Sequence, residues 1–204
     1  VMKGELEVAM RRPRDLQEYQ RVLGTQLEVI NEMVSIVEQL LALAHSEEGE
    51  EAIEWRPVEL TDLVMETSNE WKALAEKKGV KLSFKTKENL WARGERGLLK
   101  RLLSNLLDNA IKHTPAGGDV KVGLENHGGE ACLIVSDTGS GIPAEELPKI
   151  FDKFFSRQPS SEEGQASMGI GLGLCRWIVE AHQGRIEVSS PAGEGATFRI
   201  FLPH

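Results

Sequence analysis

The chain has 204 residues, 40% hydrophobic and 27% charged, with a formal net charge of -8. This composition is ordinary for a folded globular protein, and the length suits one compact domain of roughly 150 residues plus a smaller appendage. The acidic balance disfavours nucleic acid as a partner, because phosphate backbones need clustered Lys and Arg. No run approaches the ~20 apolar residues of a membrane-crossing helix. A nucleotide stays open, since it needs only a local site.

Val1-Met2-Lys3-Gly4 reads as the interior of a helix and not as a signal peptide, so the chain is expected to be part of something longer. Residues 1–10 have a helical pattern. Pro13 breaks it, and Asp15 suits the N-cap of the next helix. Apolar residues then fall on a seven-residue repeat. One series is Leu16, Leu23, Ile30, Val37 and Ala44; the other is Leu27, Val34 and Leu41, with Gln20 as its polar exception. Such seams mark a helix that packs against partners, here the 1–10 segment and a second copy of the chain, although packing on its own domain is the alternative. The expected division is a partial helical hairpin over 1–46, an acidic linker over 47–56 and a second domain over 57–204.

In that second domain, residues 59–78 predict a helix with Leu60, Leu63, Val64, Trp71, Leu74 and Ala75 on its apolar face, and Gly79 as its stop. Residues 80–84 alternate as a strand, and 90–92 suggest another. A strong helix follows over 95–113. Strands over 120–124 and 131–135 flank Asn126-His127-Gly128-Gly129, a hairpin turn by composition. A short helix is expected over 144–151, after Pro143. Residues 156–168 are polar and read as a mobile loop. A helix over 170–183 ends at Gly184, and strands over 185–188 and 196–202 close the chain. Mixed helices and antiparallel hairpins imply an α+β fold, a two-layer sandwich of one sheet under one helix layer. Cys132 lies in an apolar run and Cys175 follows Leu174 in a helical pattern. Both read as small buried side chains in a reducing cytoplasm, with a disulfide as the alternative.

Four segments carry chemistry. In the first, Asn105, Asn109 and Lys112 stand at i, i+4 and i+7 and share one helix face, opposite Leu102, Leu103, Leu106, Leu107 and Ile111. Amide oxygens suit Mg²⁺, and an ammonium suits phosphate. The second is Asp137-Thr138-Gly139-Ser140-Gly141-Ile142-Pro143, directly after an apolar strand. Its glycines allow a tight turn, and its carboxylate can accept a hydrogen bond from an exocyclic amine such as adenine's. The third, Phe151-Asp152-Lys153-Phe154-Phe155, reads alone as core, or as an anchor for the polar loop behind it. The fourth, Gly169-Ile170-Gly171-Leu172-Gly173-Leu174, opens a helix with bare N–H groups, an anion site. No Lys-Ser or Lys-Thr follows, so it is not a Walker loop. Its glycine spacing and the flexible loop before it also differ from the Rossmann fingerprint.

In this order the segments resemble the N, G1, F and G2 boxes of the GHKL ATPase superfamily, in the version found in sensor histidine kinases of two-component systems. The resemblance covers about residues 55–204. It implies the GHKL, or Bergerat, ATP-binding fold preceded by a partial dimerisation hairpin. It implies ATP and Mg²⁺ as cofactors, with Asn109 ligating the metal and Asn105 nearby. Asn109 and Lys112 would be the catalytic residues, with Lys112 and His113 facing phosphate and nucleotide. Asp137 would hold the adenine amine in a pocket shaped by Gly139, Gly141 and Ile142. Gly169, Ile170, Gly171, Leu172, Gly173 and Leu174 would line the nucleotide, and 156–168 would be the ATP lid, with Phe154 and Arg157 at the ligand. Many members have Arg directly after the second aromatic; here Ser156 stands there and Arg157 follows.

The family transfers the γ-phosphoryl group to a His in a His-Glu-x-x-x-Pro context, and onward to an Asp of a response-regulator receiver domain. The five histidines here are His45, His113, His127, His182 and His204, and none has that context. His182 reads as a helix C-terminal cation. The resemblance therefore implies a homodimer through 1–46 whose membrane contact comes only from segments outside this chain. It also implies a fragment that binds Mg-ATP in the cytoplasm without phosphorylating itself. The alternatives are a nucleotide-dependent interaction module without kinase activity and a related serine kinase or ATPase.

Overall fold

The computed structural model describes residues 15, 17–19, 21–26, 29, 55–86, 89–152, 155, 171–191 and 193–204. The chain divides into two units, Val1–Ala52 and Ile53–His204. In the first unit, 17–19 and 21–26 are helical. Asp15 caps this stretch: its Oδ1 accepts a hydrogen bond from Glu18 N–H at 2.8 Å. Leu23 is exposed. The other seam positions, Gln20 and the expected linker up to residue 54 lie outside the described residues.

The second unit runs β1 (Arg56–Glu59), α1 (Leu60–Lys77), β2 (Lys81–Thr86), β3 (Trp91–Gly94), α2 (Arg96–His113), β4 (Asp119–His127), β5 (Glu130–Asp137), α3 (Gly171–Ala181), β6 (Arg185–Ser189) and β7 (Thr197–Pro203). Five strands form one sheet in the order β2-β4-β5-β7-β6, and β1 pairs with β3 in a separate ladder. The β2–β4 pair is parallel, and the pairs β4–β5, β5–β7 and β6–β7 are antiparallel. Alternation along the strands sends one side chain in two to the core. Val120, Val122 and Leu124 of β4, Ala131, Leu133 and Val135 of β5, and Phe198, Ile200 and Leu202 of β7 face it together. The helices meet this face with 3.6-residue stripes, of which Leu99, Leu102, Leu103, Leu106, Leu107, Ala110 and Ile111 of α2 form the longest. The result is the expected two-layer α+β sandwich.

Four expectations need correction. The 144–151 segment is a run of turns and not a helix. Three of its hydrogen bonds step three residues, Glu146 to Pro143, Lys149 to Glu146 and Asp152 to Lys149, and one, Leu147 to Pro143, steps four. Pro148 has no N–H to continue an α-helical ladder. On α1, Leu74 lies at the margin of the stripe and is exposed, while Thr67 and Ser68 are buried. Thr67 tolerates burial because its hydroxyl donates to Leu63 O at 2.7 Å. The third is β1, which the sequence reading missed. Only four residues long and containing Pro57, it pairs Val58 with Ala92 of β3. The fourth is the end of α3, where Gln183, not Gly184, takes the left-handed conformation, with φ 55°. The β4–β5 hairpin forms as expected, with positive φ at Gly128 and Gly129. Cys132 and Cys175 are both buried and free.

Candidate functional site

The C-terminal end of α2 brings Lys112 and His113 to the loop after Asp137, while Asn105 and Asn109 stand further back along the helix and do not line the cleft there. Gly139 makes that approach possible: a Cβ there would lie 2.5 Å from His113 O and 2.8 Å from Asp137 Oδ1. Lys112, His113 and Gly139, with Lys78, Thr114, Pro115, Thr138 and Ser140, line a cleft of about 390 Å³. Lys78 enters from the end of α1. Its ammonium donates to Ile111 O at 2.7 Å and to Lys112 O, so it caps α2 as a cation at the negative end of the helix.

Asp137 is nearly buried, at 9% exposure. Gly139 N–H at 2.8 Å and Ala196 N–H at 3.3 Å both donate to its Oδ1. Among the described residues no donor bonds its Oδ2. Burial raises the pKa of this carboxyl, and the two backbone donors offset part of that rise. Thr138 fastens the turn from the other side, accepting from Asp119 N–H at 2.9 Å through its hydroxyl.

Asn105 sits deeper on α2. Its Nδ2 is buried and makes no hydrogen bond among the described residues. It faces the sulfur of Cys175 on α3, whose thiol burial pushes up to about 12 and which donates to Leu102 O at 3.8 Å. The thiol sulfur is a weak acceptor for this amide nitrogen, so Nδ2 is turned into the core between α2 and α3 and Oδ1 is the end of Asn105 that could meet a cation. Asn109, one turn on, is partly exposed like Asn105. Among the described residues no cluster of three His, Cys, Asp or Glu could hold a metal ion by itself. An ion here would take most of its ligands from water and phosphate, as Mg²⁺ does.

The glycine-rich run opens α3 as its spacing suggested. Gly171 is its first residue, and a Cβ on Gly173 would reach Phe151 O at 3.4 Å, so the helix start lies against the end of the turn run. Leu172 is partly buried against the core and Leu174 is inside it, so Leu174 can offer a ligand only its backbone. Gly141, with φ 71°, and Ile142 continue the loop after Asp137. Phe154, Arg157, Gly169, Ile170 and the expected lid over 156–168 lie outside the described residues.

His182 ties the two site helices together at their far ends. It is fully buried, with Nδ1 2.7 Å from Ile178 O. Its Nε2 accepts from Glu95 N–H, at the N-cap of α2, at 3.0 Å. That pattern requires a neutral ring protonated on Nδ1, so the expected helix-end cation is corrected to a neutral joint. Burial lowers its pKa, against smaller raising effects from the Ile178 bond and Glu95. The unfolded chain therefore takes up this proton more readily than the folded one. The stability His182 contributes is complete above an ordinary histidine pKa of about 6.5 and is lost as pH falls below it. Urea midpoints taken from about pH 7.5 to about pH 5.5 should fall in the wild type and fall less steeply in His182→Gln. Equal slopes would assign the pH response elsewhere.

The mixed five-stranded sheet under one helix layer is the α+β sandwich of the GHKL class. A model of the family described as histidine kinase-, DNA gyrase B-, and HSP90-like ATPase matches residues 94–204, and the chain belongs to that family. Its relatives are sensor histidine kinases. It is 34% identical over 199 residues to the sensor histidine kinase CusS of Escherichia coli strain K12, covering 98% of this chain and 41% of that protein. The chain thus spans about two-fifths of the length of the curated relatives it matches. Among solved structures, the mycobacterial sensor histidine kinase MprB is 29% identical with a TM-score of 0.64, covering 73% of this chain and 97% of that one. The catalytic domain of histidine kinase ThkA is 29% identical with a TM-score of 0.65, covering 74% and 95%. Among the described residues, no helix is long and apolar enough to cross a membrane.

Proposed function

We propose that this chain is the ATP-binding catalytic part of a protein-histidine kinase and that it binds Mg-ATP without phosphorylating itself. The observation that carries the reading is Asp137. Two backbone donors hold its Oδ1 and leave the other oxygen for a ligand amine. In this reading Asp137 accepts from the adenine amine, with Gly139, Gly141 and Ile142 shaping the pocket. Lys112 and His113 face the phosphates, with Asn105 nearby. The bare N–H groups around Gly171 and Gly173 add further donors. Asn109 holds Mg²⁺, which when bound neutralises charge on the phosphate oxygens. Phosphoryl transfer needs mainly such positioning and neutralisation. The acceptor His, a response-regulator Asp beyond it, and dimerisation through 1–46 belong to the parent kinase, whose catalytic part would be cytoplasmic. None of this chain's five histidines stands in the acceptor context.

Calorimetric titration with Mg-ADP should give saturable binding that EDTA weakens. Asn109→Ala should weaken binding in Mg²⁺ and erase the difference EDTA makes. Incubation with γ-labelled ATP should leave the chain unlabelled. Absence of nucleotide binding would sink the whole reading, and an acid-labile label on the chain would sink its second half.

A further inference from the structure

Ser190 follows β6 and opens the turn into β7. Its hydroxyl oxygen accepts from Ile142 N–H at 2.7 Å and donates to Gly195 O at 2.6 Å. One hydroxyl thus holds together two loops whose bonded residues stand 48 positions apart in the chain. Each loop carries half of Asp137's setting. The loop after β5 supplies Gly139 N–H, and the loop before β7 supplies Ala196 N–H, both to Asp137 Oδ1. The backbone of Asp137 returns a bond to Ala196 O at 2.9 Å.

The loops meet without slack. A Cβ on Gly141 would lie 3.1 Å from Ser190 Oγ and 3.3 Å from Gly195 O. A small change in the Gly195 carbonyl therefore moves Ala196 N–H, which aims the carboxylate. A hydroxyl that accepts and donates at once makes each of its two bonds stronger, so the bridge is stiffer than two separate contacts. Serine beside a turn more often bonds only its own neighbours. The bond to Ile142 is what takes Ser190 beyond that role.

We propose that Ser190 is a positioning residue for base recognition. It locks the two loops so that Asp137 presents its free oxygen to an exocyclic amine on the purine. This rests on the nucleotide-binding reading above, and it acts through Ile142, Gly195 and Ala196.

The test measures affinity of the full chain for Mg-ADP and for the 6-unsubstituted purine analogue, which lacks the amine. The ratio of the two reports how well the carboxylate is aimed. Wild type should prefer ADP by about tenfold, and Ser190→Ala should bring the ratio close to one. Ser190→Thr, which keeps the hydroxyl, should retain more of the preference than Ser190→Val, which has the same shape without it. Failure of wild type to bind ADP would defeat the nucleotide reading itself. With wild type binding, an unchanged ratio in Ser190→Ala overturns the proposal. So does an equal loss for both ligands, or loss of folding by circular dichroism in both hydroxyl-free variants, since either outcome marks a purely structural role.

Discussion

Asp137→Asn is expected to weaken Mg-ADP binding on the order of 100-fold, the scale of losing a hydrogen bond to a charged acceptor and setting a mismatched pair in its place. Which end of the amide goes where decides the outcome. Oδ1 of Asp137 receives two backbone N–H groups, from Gly139 and Ala196. In the variant the amide oxygen must stay there, because an NH₂ in that position would face two donors. The NH₂ then occupies the ligand side and points a donor at the donor amine of adenine. Rotating the side chain would only transfer the mismatch to the backbone. Folding should survive, since the shape is kept and the buried charge is removed. A calorimetric affinity equal to wild type would show that this carboxylate does not read the base.

Gly195→Ala should do the opposite, damaging the fold before the ligand arrives. Gly195 has φ 79°, and a Cβ there would lie 2.0 Å from Asp137 O, 2.7 Å from Asp137 C and 2.9 Å from Thr138 Cα. All three neighbours are backbone, so no flexible side chain can yield. A backbone shift plus left-handed strain is expected to cost roughly 4 kcal/mol. For a domain of this size that lowers the melting temperature by on the order of 10 °C. Gly193 supplies the control. Its φ is 77°, but nothing lies within 4 Å of its added Cβ, so alanine there meets strain alone, about 1 kcal/mol. Equal melting temperatures for the two variants would remove the steric argument.

Both variants act where two distant loops meet, and this is also where legibility in the sequence changes. The stripe of Leu102, Leu103, Leu106, Leu107 and Ile111 predicts α2, and the same period puts Asn105, Asn109 and Lys112 on its other side. Asp137 before two spaced glycines announces a turn with a carboxylate at its head. Gly128-Gly129 announces the hairpin. These signals are local: helical and strand periods, a missing Cβ and a ring without N–H act within a few residues of themselves. Where two local signals competed, the reading went wrong. Pro143 suggested a helix start, but Pro148 five residues later denied the helix its ladder.

The residue order alone was enough for the fold class and the family. Packing decided which distant residues support one another. Nothing around Ser190 names Ile142, and nothing around His182 names Glu95, which stands 87 positions away. A serine near Pro191 looks like any turn serine, and a histidine after a helix looks like a capping cation. Each acquires its role from the partner that the sheet order and helix packing bring within about 3 Å. Hydrogen bonds are short and directional, so they depend on tertiary register to a few tenths of an ångström. A residue pattern specifies which elements form, whereas that register is set only when all of them pack at once.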